Sequence, residues 1–408
     1  MNAMNEKSEW RSVICGMKLL TLAAIKKNQK KIGYTMKKIL LLAVIGLSYV
    51  GACACTSAIV SGKLTANGRP LMWKNRDTGD PNNRVERHEA HDGCYEFVAL
   101  FDSKDPNDTA AWLGMNEKGF AIMNTASYNL NHDNVPESMM DGEGVVMRAA
   151  LEHCVTVDDF ENLLRQRPKP LCVETNFGVM DAYGNAAYIE TGNFGWKRYD
   201  LADEPSGILT RTNYSYSGDE LKGMGYIRER NEKALLAPHI EKKDITPALF
   251  TEGISRTFYH SVLGKDFTMS GEEYVVDQDF IPRRISTASV VFEGVTRPEE
   301  ASLTTMWISL GYPPCAETYA VWTGKDGVAE ELRGTAANHH SPQCDKVNER
   351  KKAVFDIKGG NGKHYVHLKK LYNEEGTGYC QQLRGVNAAA YAEGYRKVEQ
   401  KRATIEKK

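Results

Sequence analysis

The 408-residue chain predicts an α+β fold, and three observations carry that reading: an Asn67-Gly68 turn between two strand-like runs, two more short-turn hairpins downstream, and capped helical segments between them. Residues 56–65 read as the first strand and residues 70–75 as its returning partner, which brings Lys74, Asn75, Arg76 and Asp77 back toward Cys55. Asn-Gly suits such a turn because both residues tolerate the left-handed backbone that tight hairpins require. Residues 111–115 and 120–124 form a second hairpin around Asn116-Glu117-Lys118-Gly119, and residues 177–180 and 186–191 a third. Helices are expected over residues 145–153, over 157–164 after the capping box Thr156-x-x-Asp159, over 226–236, and over 247–260 with Pro247 in the first turn. Strands follow over 289–293, 304–310 and 319–323. Residues 381–401, with Leu383, Val386, Ala390 and Val398 near helical spacing, read as a closing surface helix.

Upstream of this region, Met36-Lys37-Lys38 precedes an apolar run over residues 39–50 and then Ala52-Cys53-Ala54, the three-part layout of a secretory signal with an A-x-A-like cut. The expected organisation is an over-extended start at 1–35 that contributes no fold, a signal peptide at 36–54, and one domain over 55–408. The expected location is a bacterial periplasm or the outside. Two rival readings share the segment. Val50-Gly51-Ala52-Cys53 resembles a lipoprotein box that would anchor Cys53 to lipid, and the uncharged residues 39–62, 24 in number, are long enough to span a membrane uncut.

A cut after Ala54 removes 9 basic and 2 acidic residues from totals of 52 and 53, so the remaining 354 residues carry a net charge of −8, which argues against nucleic-acid binding. Seven cysteines remain, an odd number without a C-x-x-C pair, which fits one unpaired nucleophile among buried or bridged thiols. The same cut makes Cys55 the first residue. Its free α-amino group, titrating near pH 8 (about 7.7 to 8.0), can take the thiol proton, so nucleophile and base sit on one residue.

From Cys55-Thr56-Ser57 and Trp73-Lys74-Asn75-Arg76-Asp77 onward, the chain resembles the N-terminal-nucleophile hydrolases of linear amide C–N bonds. That group includes choloylglycine hydrolases, penicillin V acylases and the isopenicillin N acyltransferase branch, the last being the closest in pattern. The resemblance continues in family order through Gly114-Met115-Asn116-Glu117-Lys118-Gly119-Phe120-Ala121 to Asn124, the strand pair over 176–190, Thr210-Arg211-Thr212-Asn213, and Trp307 with Gly311-Tyr312-Pro313. It implies a four-layer αββα fold with the nucleophile at the head of a central strand. It also implies roles: Cys55 as nucleophile, Asp77 holding its α-amino group, and Asn213 and Asn124 as donors to the oxyanion. A cationic helper comes from Lys74, which occupies the family's arginine position, or from Arg76. Taken singly, Asp77 serves as readily as a turn cap, and each asparagine or cation is ordinary strand chemistry.

Other chemistries lack support. His364-x-x-His367 and His339-His340 have no obvious third ligand, no Gly-rich phosphate loop follows a strand, and no nucleophile elbow surrounds Ser286 to Ser289, so no metal or cofactor is expected. The expected activity is that of an exported cysteine amidohydrolase working on a small-molecule amide through a Cys55 thioester. An acyltransferase or dipeptidase of the same superfamily, or a lipid-anchored binding protein, is the alternative. Membrane association is expected only through the signal or a lipid anchor, and an oligomer is compatible with the sequence.

Overall fold

A computed structural model describes residues 54–358 and 363–407; the expected 1–35 start, the signal through residue 53 and the Cys53 lipid site lie outside the described residues. The strands are β1 (Thr56–Val60), β2 (Leu71–Asp77), β3 (Asn83–His88), β4 (Phe97–Asp102), β5 (Leu113–Asn116), β6 (Ala121–Ala126), β7 (Thr175–Met180), β8 (Ala186–Thr191), β9 (Trp196–Asp200), β10 (Ile208–Arg211), β11 (Tyr259–His260), β12 (Lys265–Asp266), β13 (Tyr274–Val276), β14 (Ser286–Glu293), β15 (Thr305–Leu310), β16 (Thr318–Val321) and β17 (Tyr365–His367). The helices are α1 (Glu143–His153), α2 (Val157–Gln166), α3 (Tyr226–Lys242), α4 (Pro342–Val354), α5 (Leu368–Leu371) and α6 (Tyr379–Ile405). One antiparallel sheet has the order β10-β1-β2-β14-β15-β16, and the other is a meander from β3 to β9. Two small ribbons, β11–β12 and β13–β17, lie outside them.

Side-chain alternation along the strands establishes the layers, because neighbouring residues on a strand face opposite sides of the sheet. Ile59, Met72, Val290, Phe292, Met306 and Ile308 pack with Val98, Leu100, Leu113 and Met123 of the facing sheet, forming the core between the sheets. Their neighbours Ala58, Val60, Trp73, Val291 and Trp307 face the other way, against Leu236 of α3, Phe250 and Ile254, and Tyr391 of α6. On the second sheet Phe97, Ala99, Phe101, Ile122, Phe177 and Ile189 cover α1 and α2 through Met147, Leu151, Phe160 and Leu164. Helix, sheet, sheet and helix therefore stack in the expected αββα order.

Differences from the sequence reading have local causes. The first strand stops at Val60 rather than residue 65, because Ser61 caps a 3-10 turn over Gly62–Leu64 and a side chain at Gly62 would lie 2.2 Å from the Gly68 carbonyl oxygen. The connection is longer than a tight hairpin, yet the strands return in antiparallel register with Val60 opposite Leu71 and Thr56 opposite Asn75. Of the stretch 39–62, Thr56–Val60 is a buried strand and residues through 53 lie outside the described ones; among the described residues no helix is long and apolar enough to cross a membrane. The helix expected over 247–260 shrinks to a π-turn at Leu249–Ile254, since the Ser255 N–H reaches back to Phe250 and the Arg256 side chain takes the Thr251 carbonyl. The capping box at Thr156 and Asp159 forms as expected. All seven described cysteines are free thiols.

The closing helix α6 is less superficial than its spacing suggested. Leu383, Asn387, Tyr391, Gly394 and Val398 are buried, whereas Val386 faces solvent. Gly394 allows the helix to approach Trp307, whose ring lies tilted against Tyr391 at 4.4 Å with its indole N–H on Glu293. A Cβ there would lie 2.4 Å from the ring, while one at Gly385 meets nothing within 4 Å. Helix propensity favours alanine over glycine by about 1 kcal/mol at either site, and overpacking a rigid core costs about 1–3 kcal/mol. Gly385→Ala should raise the chemical-denaturation midpoint and Gly394→Val should lower it; equal effects would show that α6 does not pack as described.

Candidate active site

Antiparallel register brings four chain ends together. Cys55 directly precedes β1, Asp77 ends β2, and Asn213 lies two residues past β10, whose last residue Arg211 pairs with Ser57. Ser286, the first residue of β14, pairs with Asp77. Asn124 comes from β6 of the facing sheet.

Cys55 is buried, and its thiol lies 4.0 Å from the Asp77 carbonyl oxygen. The guanidinium of Arg228, from the first turns of α3, donates to the Cys55 carbonyl, to Thr56 Oγ1 at 2.9 Å and to Asn213 Oδ1 at 2.8 Å. Because Arg228 is donor-only, it fixes which end of the Asn213 amide is oxygen. The Asn213 NH₂ group is thereby turned away from Arg228, and it donates to the Ala126 carbonyl on the facing sheet at 2.8 Å.

Asp77 is held from three sides, by Arg283 Nε and Nη2 at 3.1 and 2.8 Å, the Ser286 hydroxyl at 2.6 Å and the Asn75 amide at 3.0 Å. Arg283 Nη2 also donates to the Ala54 carbonyl at 3.2 Å, so the residue before Cys55 and the carboxylate of Asp77 share one guanidinium. Lys74 donates to Asn124 Oδ1 at 2.9 Å and to the Trp112 carbonyl at 3.3 Å. Arg76 pairs with Asp102 at 2.7 Å and with Asn83 at 2.6 Å, bridging the two sheets.

The six residues singled out in the sequence therefore fall into three groups. Cys55, Asp77 and Asn213 join one network, Lys74 and Asn124 join each other, and Arg76 belongs to an inter-sheet ion pair. The cations that reach Cys55 and Asp77 in this network, Arg228 and Arg283, escaped the sequence reading. Arg228 sits on a helix that buries Arg228, Glu229, Asn231 and Glu232, a face that hydropathy reads as solvated. The Arg283-Arg284 pair three residues before a strand was the available signal for the other.

Burial, then the neighbouring Arg283, pushes the Arg228 guanidinium down to about 10, which leaves it charged at neutral pH. Burial also opposes charge on Arg283, but Asp77 outweighs it and the guanidinium is held above its ordinary value. Nearby Asp277 is pushed up to about 6 by burial, with the Arg284 N–H and the Arg283 charge pulling back.

Two of the four histidines noted in the sequence have side-chain partners. His367 bonds Tyr274 and Asp356, and His340 bonds Asp345. Cys94, Glu152 and His153 bring three donor atoms within 4.8 Å of one another, but Arg148 already takes the Glu152 carboxylate at 3.0 Å.

Comparison with known proteins adds a family. Residues 64–233 match the family described as acyl-coenzyme A:6-aminopenicillanic acid acyl-transferase. Across that segment the chain is similar to this family. The segment contains Lys74, Arg76, Asp77, Asn124, Asn213 and Arg228; Cys55 and Arg283 flank it. A conjugated bile acid hydrolase from Clostridium perfringens is similar in structure at 10% identity, with a TM-score of 0.38 over 66% of this chain and 92% of that one. A penicillin V acylase from Agrobacterium tumefaciens follows at 11% identity and a TM-score of 0.36, over 66% and 86% of the two chains. The Caenorhabditis elegans orthologue of N-acylethanolamine-hydrolyzing acid amidase stands at 11% and 0.34, over 59% and 92%. No curated protein matches the sequence.

Asp277 supplies a pH test of the site's surroundings. Its raised value means that the folded chain keeps a proton which the unfolded chain releases, so between about pH 4 and 6 its contribution to stability falls as pH rises. Asp277→Asn should remove that decline, with the stability difference from wild type growing through this window and level above it. A difference that does not change with pH in urea titrations would contradict the shift.

Proposed function

We propose that the chain is a cysteine amidohydrolase whose nucleophile, Cys55, becomes the first residue when the Ala54–Cys55 bond is cut. The observation that carries this reading is the Arg228 bridge, which ties the backbone of Cys55 to the Asn213 amide, together with Asp77 packed beside them. The cut frees an α-amino group where Ala54 now stands, next to Arg283 and Asp77. Two guanidinium charges nearby disfavour the protonated amine and so favour its base form, while Asp77 orients it and opposes that shift. The amine takes the thiol proton, Sγ attacks the substrate carbonyl, and the oxyanion meets donors from Asn213 and Asn124. Collapse expels the amine, which receives the proton, and leaves a thioester that water then hydrolyses.

An amine in place of water would make the protein an acyltransferase, and the acyl-transferase description of the matching family favours that second reading. Export to the periplasm, or outward, belongs to the same proposal. Intact mass of the mature protein tests it: a chain beginning at an unmodified Cys55 supports the enzyme, and a lipidated Cys53 replaces it with an anchored protein.

Cys55→Ala should abolish amide cleavage with the fold intact, and Cys55→Ser should retain little activity. Extra residues left before Cys55 should silence the enzyme until they are trimmed. Full turnover by an untrimmed chain would remove the α-amino base from the mechanism.

Asn213→Ala should lower single-turnover acylation about 100- to 1,000-fold with a smaller change in substrate affinity, the range for one lost oxyanion donor. Its defect should be nearly constant from about pH 5 to 9. Asp77→Asn, which removes a charge beside the amine, should give a defect that varies with pH across that range. Unchanged acylation in Asn213→Ala would leave that residue as a turn position.

A further inference from the structure

We propose that Asn176, which is distant in sequence from every residue assigned above, is the positioning residue that sets both oxyanion groups in place; the inference rests on the amidohydrolase reading. Asn176 lies on β7 directly opposite Thr125, the residue between Asn124 and Ala126. Its side chain is fully buried. The amide nitrogen donates to Thr125 Oγ1 at 3.0 Å, to the Thr212 carbonyl at 3.3 Å and to the Tyr214 carbonyl at 3.1 Å. Thr125 follows Asn124, and Thr212 and Tyr214 flank Asn213, so a single amide grips the backbone on both sides of one oxyanion candidate and the immediate neighbour of the other.

The opposite end of the amide is equally constrained. Ser215 Oγ lies 2.5 Å from Asn176 Oδ1 and 2.9 Å from Ser127 Oγ. Asn129 completes the join, its oxygen accepting from the Ser215 N–H at 2.8 Å and its nitrogen donating to the Ser215 and Asp219 carbonyls, each at 3.0 Å. The segments leaving β6 and β10 are therefore sewn together immediately beyond Asn124 and Asn213. A cradle of this kind matters because oxyanion donors act only where they are already aimed before charge develops.

The test uses the trimmed protein and two probes. A fluorogenic N-acyl aminocoumarin reports acylation, which needs the oxyanion donors; iodoacetamide alkylation, read on the Cys55 peptide, needs only the thiol and its base. Asn176→Ala should acylate about 100-fold more slowly, the loss that follows a misplacement of about 1 Å, with KM nearly unchanged and Cys55 alkylation at the wild-type rate. Ser215→Ala keeps all three Asn176 donations and should lose about tenfold by the same argument, which provides a milder variant if Asn176→Ala does not fold. Wild-type acylation in either variant would overturn the proposal. So would acylation and alkylation falling together, which would make Asn176 a general support of the fold. Wild-type protein that alkylates but forms no acyl-enzyme would overturn the amidohydrolase reading, and the inference with it.

Discussion

The buried guanidinium of Arg228 is the constraint on which the arrangement around Cys55 depends. A charge withdrawn from water costs several kcal/mol unless its donors are satisfied. Here they go to uncharged acceptors, the Cys55 carbonyl, the Thr56 hydroxyl and the Asn213 amide oxygen. Rotating any of these away would leave part of a buried cation without a partner. Their mutual geometry is therefore enforced by the cost of the alternative. The nearby Asp77 charge favours the cation as well, so the carboxylate contributes to the site through Arg228 in addition to its direct contacts with Arg283.

β2 shows how a short motif is divided by the pleat. Lys74 and Arg76 point between the sheets, to Asn124 and Asp102, whereas Asn75 and Asp77 point to the other face, toward Ser286 and Arg283. A family pattern written along the sequence reads these four residues as one unit. The structure separates them into a pair that fastens the second sheet and a pair that fastens the start of β14. Strand geometry therefore puts Arg76 beside Asp102, and the guanidinium on the Asp77 carboxylate, Arg283, comes from outside the motif.

The legible parts of the chain were those whose cause is local. The end of β7, both ends of β8, the Thr156 capping box and the start of α3 each depend on residues within a few positions of one another, and they appear where the sequence places them, while β7 begins two residues earlier, at Thr175. β3 and β10 were missed because each is a short strand carrying polar or charged residues on one face, such as Arg84 and Arg211, whose burial is made tolerable only by partners elsewhere in the chain. Arg228 and Arg283 are the same case at the site. The Cys55 carbonyl and the Asp77 carboxylate that they bind lie 173 and 206 residues away along the chain, and several of their acceptors are backbone carbonyls or amides that leave no mark in a sequence. What could be read was the set of groups proposed to perform chemistry; what could not was the set of cations that hold them in place.

The placement of Cys55 ahead of β1 would also reconcile the proposed maturation cut with a rigid sheet. Ladder pairing of β1 begins at Thr56 with β2 and at Ser57 with β10, so the Ala54–Cys55 peptide belongs to neither ladder. Breaking it removes the Ala54 carbonyl from Arg283 and introduces a charge beside Asp77, but it takes no hydrogen bond from the central strands. The strand ladders contribute to stability through many such bonds, each worth about 0.5–1.5 kcal/mol, and they remain whole. The fold is then nearly indifferent to the event that would create the catalytic base. A nucleophile one residue deeper would lose that separation, because freeing its nitrogen would cut into the paired strand and the cost of maturation would fall on the sheet itself.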